Sequence, residues 1–204
     1  MTKKAEIITF GCRLNIYESE ILKQGIKEHK IKDTAIFNSC AVTSESVRQV
    51  KQSIRKRRRE FPDEKIIVTG CAAQIEPETF SKMQEVDLVS GNIEKRDILN
   101  ILSKEKSSKK IEVQNIMENR QNLNGLTDGY DNRSRAFIEI QNGCDHRCTF
   151  CIIPFGRGNS ISKSVKNIIN EINLMIEKGH KEIVLTGVDI ASWGHDLDKK
   201  SNLG

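Results

Sequence analysis

The sequence predicts an α/β fold, an open parallel sheet followed by the start of a second α/β unit, and three observations predict it. A strand-length apolar run closed by a turn residue and a cysteine occurs three times in the first hundred residues. Each is followed by a stretch of helical periodicity. The same strand-then-cysteine arrangement begins again at Ala136, beyond a long polar segment. Strands alternating with helices in this way imply a parallel sheet covered on both faces.

Taken in order, the strands are Ile7-Ile8-Thr9-Phe10-Gly11-Cys12, Thr34-Ala35-Ile36-Phe37-Asn38-Ser39-Cys40 and Ile66-Ile67-Val68-Thr69-Gly70-Cys71, rich in β-branched and aromatic residues. The helix between the first two presents Ile21, Leu22, Gly25 and Ile26 on one face, and the next presents Val47, Val50 and Ile54 and is ended by Pro62. Pro77 suits the first position of a third, short helix. Val86-Asp87-Leu88-Val89 reads as another strand, and a fourth helix begins near Glu94 with Ile98, Leu99, Ile101 and Leu102 apolar. Composition then shifts to Lys, Ser, Asn, Gln and Asp, as in a linker. The division that follows is an N-terminal domain at 3–104, a linker at 105–132 and a second unit at 133–204. In the second unit Ala136 to Ile140 reads as a strand and a cysteine loop follows. A helix from Lys163 to Lys178 carries Val165, Ile168, Ile169, Ile172, Met175 and Ile176. Gly179 suits its C-terminal cap, and Glu182 to Gly187 forms the next strand.

A length of 204 residues suits one large domain or two small ones. With 37% hydrophobic and 30% charged residues, no uninterrupted apolar stretch approaches a membrane span of roughly 20 residues, which excludes a membrane-spanning class. The segment from Met1 to Phe10 has two lysines and a short apolar run broken by Glu6 and Thr9, unlike a signal peptide, so a cytoplasmic location is expected. Thiols there are kept reduced, and the six cysteines read as ligands or chemical groups before they read as disulfides. A net charge of +5 permits a polyanionic partner such as RNA without identifying one.

The densest chemical signal is Gly143-Cys144-Asp145-His146-Arg147-Cys148-Thr149-Phe150-Cys151. Three thiolates this close can hold neighbouring irons of one cluster and leave a fourth iron open, as a metal site does when it binds substrate. A zinc site with His146 as fourth ligand is the first alternative. His146 lies two residues from both Cys144 and Cys148, which leaves little chain for a closed tetrahedron. Buried structural cysteines are the second, disfavoured by the polarity of the loop. Cys12, Cys40 and Cys71 each close a parallel strand, so all three project from the carboxyl edge of one sheet, where ligands bind in such folds. A second three-cysteine metal site follows, against the alternative of three unrelated buried cysteines. The run Arg55-Lys56-Arg57-Arg58-Arg59 is either a solvated helix end favourable to the dipole or an RNA phosphate contact. Gly156 and Gly158 flanking Arg157 are a weak sign of a phosphate- or cofactor-facing turn, while Trp193 and His195 read as packing or exposed residues.

At these residues the chain closely resembles the radical S-adenosylmethionine methylthiotransferase family, over essentially its whole length. Gly11-Cys12-Arg13-Leu14-Asn15 with Tyr17-Glu18-Ser19-Glu20, Asn38-Ser39-Cys40-Ala41-Val42-Thr43 and Gly70-Cys71-Ala72-Ala73-Gln74 are similar to the three cysteine motifs of its N-terminal domain. Gly143 to Cys151, continued by Ile152-Ile153-Pro154-Phe155-Gly156-Arg157-Gly158, resembles the start of its radical core, a partial (β/α) barrel. The resemblance implies two 4Fe–4S clusters, an auxiliary one on Cys12, Cys40 and Cys71 and a second on Cys144, Cys148 and Cys151 that chelates S-adenosylmethionine. It further implies that reductive cleavage of that cofactor gives a 5′-deoxyadenosyl radical, and that methylated sulfur is delivered through the auxiliary cluster. Phe150, Gly187 and Asp189 stand where such folds adjoin the cofactor.

Within the family the motifs are most similar to the branch that methylthiolates N6-threonylcarbamoyladenosine beside the tRNA anticodon. The implied partners are the tRNA anticodon stem-loop, whose unpaired bases are accessible, an electron donor such as flavodoxin or ferredoxin, and a sulfur donor, with no membrane. The alternatives are the branches acting on isopentenyladenosine in tRNA or on a ribosomal protein, and a non-catalytic iron–sulfur or zinc protein. Two features depart from the family. Ile161 stands where an arginine is usual, and the chain ends at Gly204 after about two strands of the core. The resemblance therefore implies an incomplete core with an exposed sheet edge, a second chain as a candidate to complete it, and poor or no activity for the isolated polypeptide.

Overall fold

The structure, a computed structural model, describes residues 3–96, 98, 110–118, 123, 127, 129–130, 134–197 and 201–203. Five strands, β1 (Glu6–Thr9), β2 (Thr34–Ser39), β3 (Lys65–Gly70), β4 (Leu88–Ser90) and β5 (Ile111–Glu112), lie side by side in chain order and every pair is parallel. Helices α1 (Arg13–Glu28) and α2 (Ser44–Glu60) cross over between the first three strands, and the short α3 (Cys71–Ile75) and α4 (Pro77–Ser81) follow β3. Side chains alternate between the faces of a strand. Ala35, Phe37, Ile66, Val68 and Val89 accordingly pack with Val50 and Ile54 of α2 and Phe80 of α4, while Ile36, Ile67 and Leu88 pack with Leu22 and Ile26 of α1 and with Ile98. The expected two-faced parallel sheet is present.

The strand expected at Val86–Val89 begins two residues later. Val86 is held in the turn after α4, its N–H donating to the Met83 carbonyl at 3.3 Å. The Asp87 carboxylate accepts from the Ile66 N–H at 2.6 Å. Of the helix expected from Glu94, a 3-10 turn forms at Glu94–Arg96 and Ile98 is buried, whereas Leu99, Ile101 and Leu102 lie outside the described residues, as does most of the stretch 105–132. β5 comes from within that polar stretch, with only two residues to announce it.

In the second unit, β6 (Arg135–Glu139) is followed by β7 (Gln141–Asn142), α5 (Ile153–Arg157), β8 (Ile161–Ser162), α6 (Val165–Glu177) and β9 (Glu182–Thr186). β6 and β9 are parallel, as a crossover through α6 requires, and β7 and β8 form a small antiparallel pair. Ile168 and Met175 of α6 pack on Ala136 and Ile138, and Trp193 completes that core while donating its indole N–H to the Lys163 carbonyl. Helix α1 serves both units, since Ile16 joins the second core and the Tyr17 hydroxyl donates to Glu171 at 2.9 Å. No described helix is long and apolar enough to cross a membrane.

The basic run at the end of α2 is corrected in part. Arg57 donates to Glu64 and Glu6 and lies over the Phe61 ring, and Arg58 donates to Asp87 and to the carbonyls of Glu85, Pro62 and Glu64. These partners sit where β1, β3 and β4 begin, at the edge opposite the cysteines, so neither arginine is a solvated side chain or a phosphate contact. At the other end of α2 the Thr43 hydroxyl accepts from the Ser46 N–H at 3.1 Å and caps the helix. Thr43→Ala should lower stability by about 1 kcal/mol, seen as a lower denaturant midpoint at unchanged slope.

Candidate metal centre

The pairing Thr9↔Asn38↔Thr69 brings β1, β2 and β3 to an end at one level. Cys12 immediately precedes α1, Cys40 follows β2 directly and Cys71 is the first residue of α3, so the three cysteines leave one sheet edge. Their loops are in contact. A Cβ on Gly11, whose φ is +93°, would stand 2.5 Å from the Cys40 Cβ, and one on Gly70, with φ +94°, 2.3 Å from the Ser39 carbonyl oxygen. Only glycine allows both that backbone and that approach.

Polar residues of the motifs fix the loops. Asn15 donates through Nδ2 to the carbonyls of Phe10 at 2.7 Å and Ser39 at 3.0 Å, joining the loops of Cys12 and Cys40. Asn38 in turn donates to the Asn15 carbonyl, and the Ser39 hydroxyl donates to the Thr69 carbonyl while accepting from the Ala73 N–H. Asn92 donates to the Cys71 sulfur at 3.7 Å and to the Gly156 carbonyl.

The three cysteines line one cavity of about 500 Å3. The second unit also lines it, with Ile152, with Ile153 and Gly156 of α5, and with Gly187, Val188 and Ile190 beyond β9, and Gly156 comes close enough to Cys71 that a Cβ there would stand 3.1 Å from the cysteine Cβ. Burial pushes the Cys40 thiol up, and the neighbouring Cys71 and Cys12 thiols add to it.

Cys144, Cys148 and Cys151 share the loop between β7 and α5. The Cys144 N–H donates to the Gly158 carbonyl and the Cys151 N–H to the Cys148 carbonyl, each at 3.0 Å. Burial also pushes the Cys144 thiol up, with Asp189, Cys151 and Cys148 adding to it. Its sulfur lies 3.9 Å from the Asp189 carboxylate, and His146 Nε2 lies 3.3 Å from the same group. Phe150 is 91% exposed at the loop tip. Gly187 lines the cavity, and the N–H groups of Val188 and Asp189 both donate to Gln141 Oε1. His195 is exposed, and Ile161 stands in β8 opposite Asn142.

Among the described residues, no group of three or more His, Cys, Asp or Glu side chains is arranged to hold a metal ion. Zinc bound at about 2.3 Å to each thiolate draws its sulfurs together, whereas a cluster takes each sulfur on a different iron and spreads them. Three thiols on a cavity with no His, Asp or Glu among the described residues of its lining, and three thiols on one loop whose His146 turns to Asp189, have the donor chemistry of iron–sulfur ligation.

Sequence reasoning missed two residues that hold these loops. Gln141 donates through Nε2 to the Gly143 carbonyl at 2.7 Å and so ties the Cys144 loop to the end of β9. Arg157, with a side chain only 4% exposed, donates to Glu18 at 2.8 Å, to Asn142 at 3.2 Å and to Asn15. Lys95 meets the other Glu18 oxygen at 2.8 Å. Burial alone would raise the Glu18 carboxyl, but Arg157 and Lys95 outweigh it and hold the pKa at about 2. Tyr17-Glu18-Ser19-Glu20 and the glycines around Arg157 stood out in the sequence, yet nothing in their spacing pairs positions 139 apart.

Comparison with known proteins matches residues 4–91 to the model of Uncharacterized protein family UPF0004 and residues 138–200 to the Radical SAM superfamily. Each match contains one of the cysteine groups. The Threonylcarbamoyladenosine tRNA methylthiotransferase MtaB of Rickettsia prowazekii is 47% identical over 95% of this chain and 45% of its own length. The protein of the same name from Aquifex aeolicus is 34% identical over 95% of this chain and 50% of its own. The tRNA-2-methylthio-N(6)-dimethylallyladenosine synthase of Protochlamydia amoebophila is 29% identical over 95% and 45%. The chain spans about half the length of the curated relatives it matches.

Proposed function

The chain belongs to the radical S-adenosylmethionine methylthiotransferase family, and from that premise we propose that it serves methylthiolation of N6-threonylcarbamoyladenosine next to the tRNA anticodon. The observation that carries this reading is the cavity lined both by Cys12, Cys40 and Cys71 and by residues adjoining Cys151 and Asp189. Ile152 directly follows Cys151, so one cavity carries the first cysteine group and the residue next to the second, the proximity that sulfur delivery to a radical centre requires. Domains at 3–104 and 133–204, joined by 105–132, each supply three cysteines. Cys12, Cys40 and Cys71 would hold the auxiliary 4Fe–4S cluster, and Cys144, Cys148 and Cys151 the second. When bound, that second cluster and S-adenosylmethionine would supply the radical that opens an unreactive C–H bond.

The protein's own part is placement. Gln141 fixes the Cys144 loop against the end of β9, Asp189 offers a carboxylate beside it, and Leu14, Ile152, Ile153 and Val188 give the cavity an apolar lining. Phe150, Gly187 and Asp189 would flank the cofactor. The partners on this reading are the tRNA anticodon stem-loop, a flavodoxin- or ferredoxin-type electron donor and a sulfur donor, in the cytoplasm.

Iron and sulfide content of anaerobically prepared protein tests the proposal. About eight irons per chain should fall to about four in the Cys144→Ala, Cys148→Ala, Cys151→Ala triple variant, with release of 5′-deoxyadenosine from S-adenosylmethionine lost. Zinc at unit stoichiometry, or no metal in folded protein, would overturn it. Stable clusters with no cofactor cleavage would leave a binding or electron-carrying module.

A further inference from the structure

We propose that Arg157 is a positioning residue that locks the two cysteine groups to each other and holds a permanent positive charge beside Cys12, Cys40 and Cys71. The proposal rests on the reading of those cysteines as cluster ligands.

Its geometry is that of a cross-link. Arg157 closes α5, six residues after Cys151, and its guanidinium turns inward to reach three residues on two elements, α1 and β7. On one side it meets Asn15, whose amide already holds the Phe10 and Ser39 carbonyls, the anchor points of the Cys12 and Cys40 loops. On another it meets Glu18 on the next turn of α1. On the third it meets the Asn142 oxygen, which also accepts from the Gly143 N–H just before Cys144. A planar fork of five donors can make these bonds together, and a lysine cannot.

The charge is placed as deliberately as the bonds. Burial disfavours an ionised guanidinium, yet Glu18 accepts from this one at 2.8 Å, and Arg157 lines the same cavity as Cys12, Cys40 and Cys71. Glu18 balances one of the two buried cations, Arg157 and Lys95, so the group is net positive. Reduction adds negative charge to a cluster, and a fixed cation nearby favours the reduced form.

Two measurements on the full chain decide it. In metal-free protein, Arg157→Gln should speed amide hydrogen exchange by about tenfold or more both at Phe10, whose N–H donates to the Asn38 carbonyl at the start of the Cys12 loop, and at Cys144, whose N–H donates to the Gly158 carbonyl, as loss of charge-assisted bonds implies. Unchanged exchange at either loop would overturn the cross-link whatever metal is bound. In protein reconstituted on the Cys144→Ala, Cys148→Ala, Cys151→Ala background, Arg157→Gln should move the midpoint potential of the remaining cluster to a more negative value. Arg157→Lys, which keeps the charge but not the fork, should return the potential toward wild type while exchange stays fast. Equal potentials at equal iron content would overturn the electrostatic role. Failure of that background to bind iron would instead count against the ligand assignment, with the exchange result still standing.

Discussion

Glu18→Gln should destabilise the folded chain by about 3–5 kcal/mol at neutral pH, because it leaves two buried cations without the carboxylate that joins them. Arg157 and Lys95 each meet one Glu18 oxygen at 2.8 Å, and both of their side chains are almost wholly buried. A glutamine of the same shape can accept one hydrogen bond there, but it must present an NH2 group to a cation. The effect has a definite pH dependence. The Glu18 pKa is lowered from its ordinary 4.5 to about 2, so folding gains from the carboxylate above the unfolded value and loses that gain as pH falls through the folded one. Denaturant unfolding of the two proteins should therefore differ fully at pH 5 and above and converge between about pH 4.5 and 2. A difference at pH 7 below about 1 kcal/mol would show that Arg157 and Lys95 find other partners when Glu18 is neutral.

That carboxylate was visible in the sequence only as part of a motif, and the contrast with the sheet is instructive. The strands were legible because Ala35, Phe37, Ile66 and Val68 must face one side while Ile36 and Ile67 face the other, and an all-apolar run of strand length has few other uses. From parallel strands the common edge of Cys12, Cys40 and Cys71 followed by geometry. What the period of a strand or helix cannot encode is contact between distant polar side chains. Arg157 with Glu18 depends on how the two units sit against each other, and Gln141 with Val188 and Asp189 on how β7 and the end of β9 meet within the second. The basic run misled for a related reason. Charge at a helix end reads as solvated until the acceptors at the starts of neighbouring strands, Glu6, Glu64 and Asp87, are brought to it. Elements of two to five residues, such as β5, α3 and α5, carry too few side chains for any period.

Glu171→Gln should also cost about 3 kcal/mol or more, and the double replacement Lys163→Met, Glu171→Met should recover most of that loss. Lys163 and Glu171 are fully buried 2.8 Å apart, and the Tyr17 hydroxyl bridges them, donating to Glu171 at 2.9 Å and accepting from Lys163 at 3.0 Å. Burial, then the Glu171 charge, raises the Tyr17 pKa, so the hydroxyl keeps its proton and remains the donor. Removing one charge strands the other in a fully buried site, whereas two apolar side chains of similar length remove both charges together, at the smaller cost of the bonds that Glu171 accepts from the Tyr17 hydroxyl and the Thr127 N–H. If stability returns in the double variant, the pair is not there for stability. Tyr17 belongs to α1, while Lys163 and Glu171 flank the start of α6 and its interior, so the bridge fixes the angle at which the second unit meets the first. The double variant should then be stable but should show faster hydrogen exchange along both Tyr17–Ser19 and Gly187–Asp189, one stretch in each unit. Exchange as slow as in the wild type would mean that apolar packing around Ile16 and Ile172 sets the angle, with the buried charges adding nothing to it.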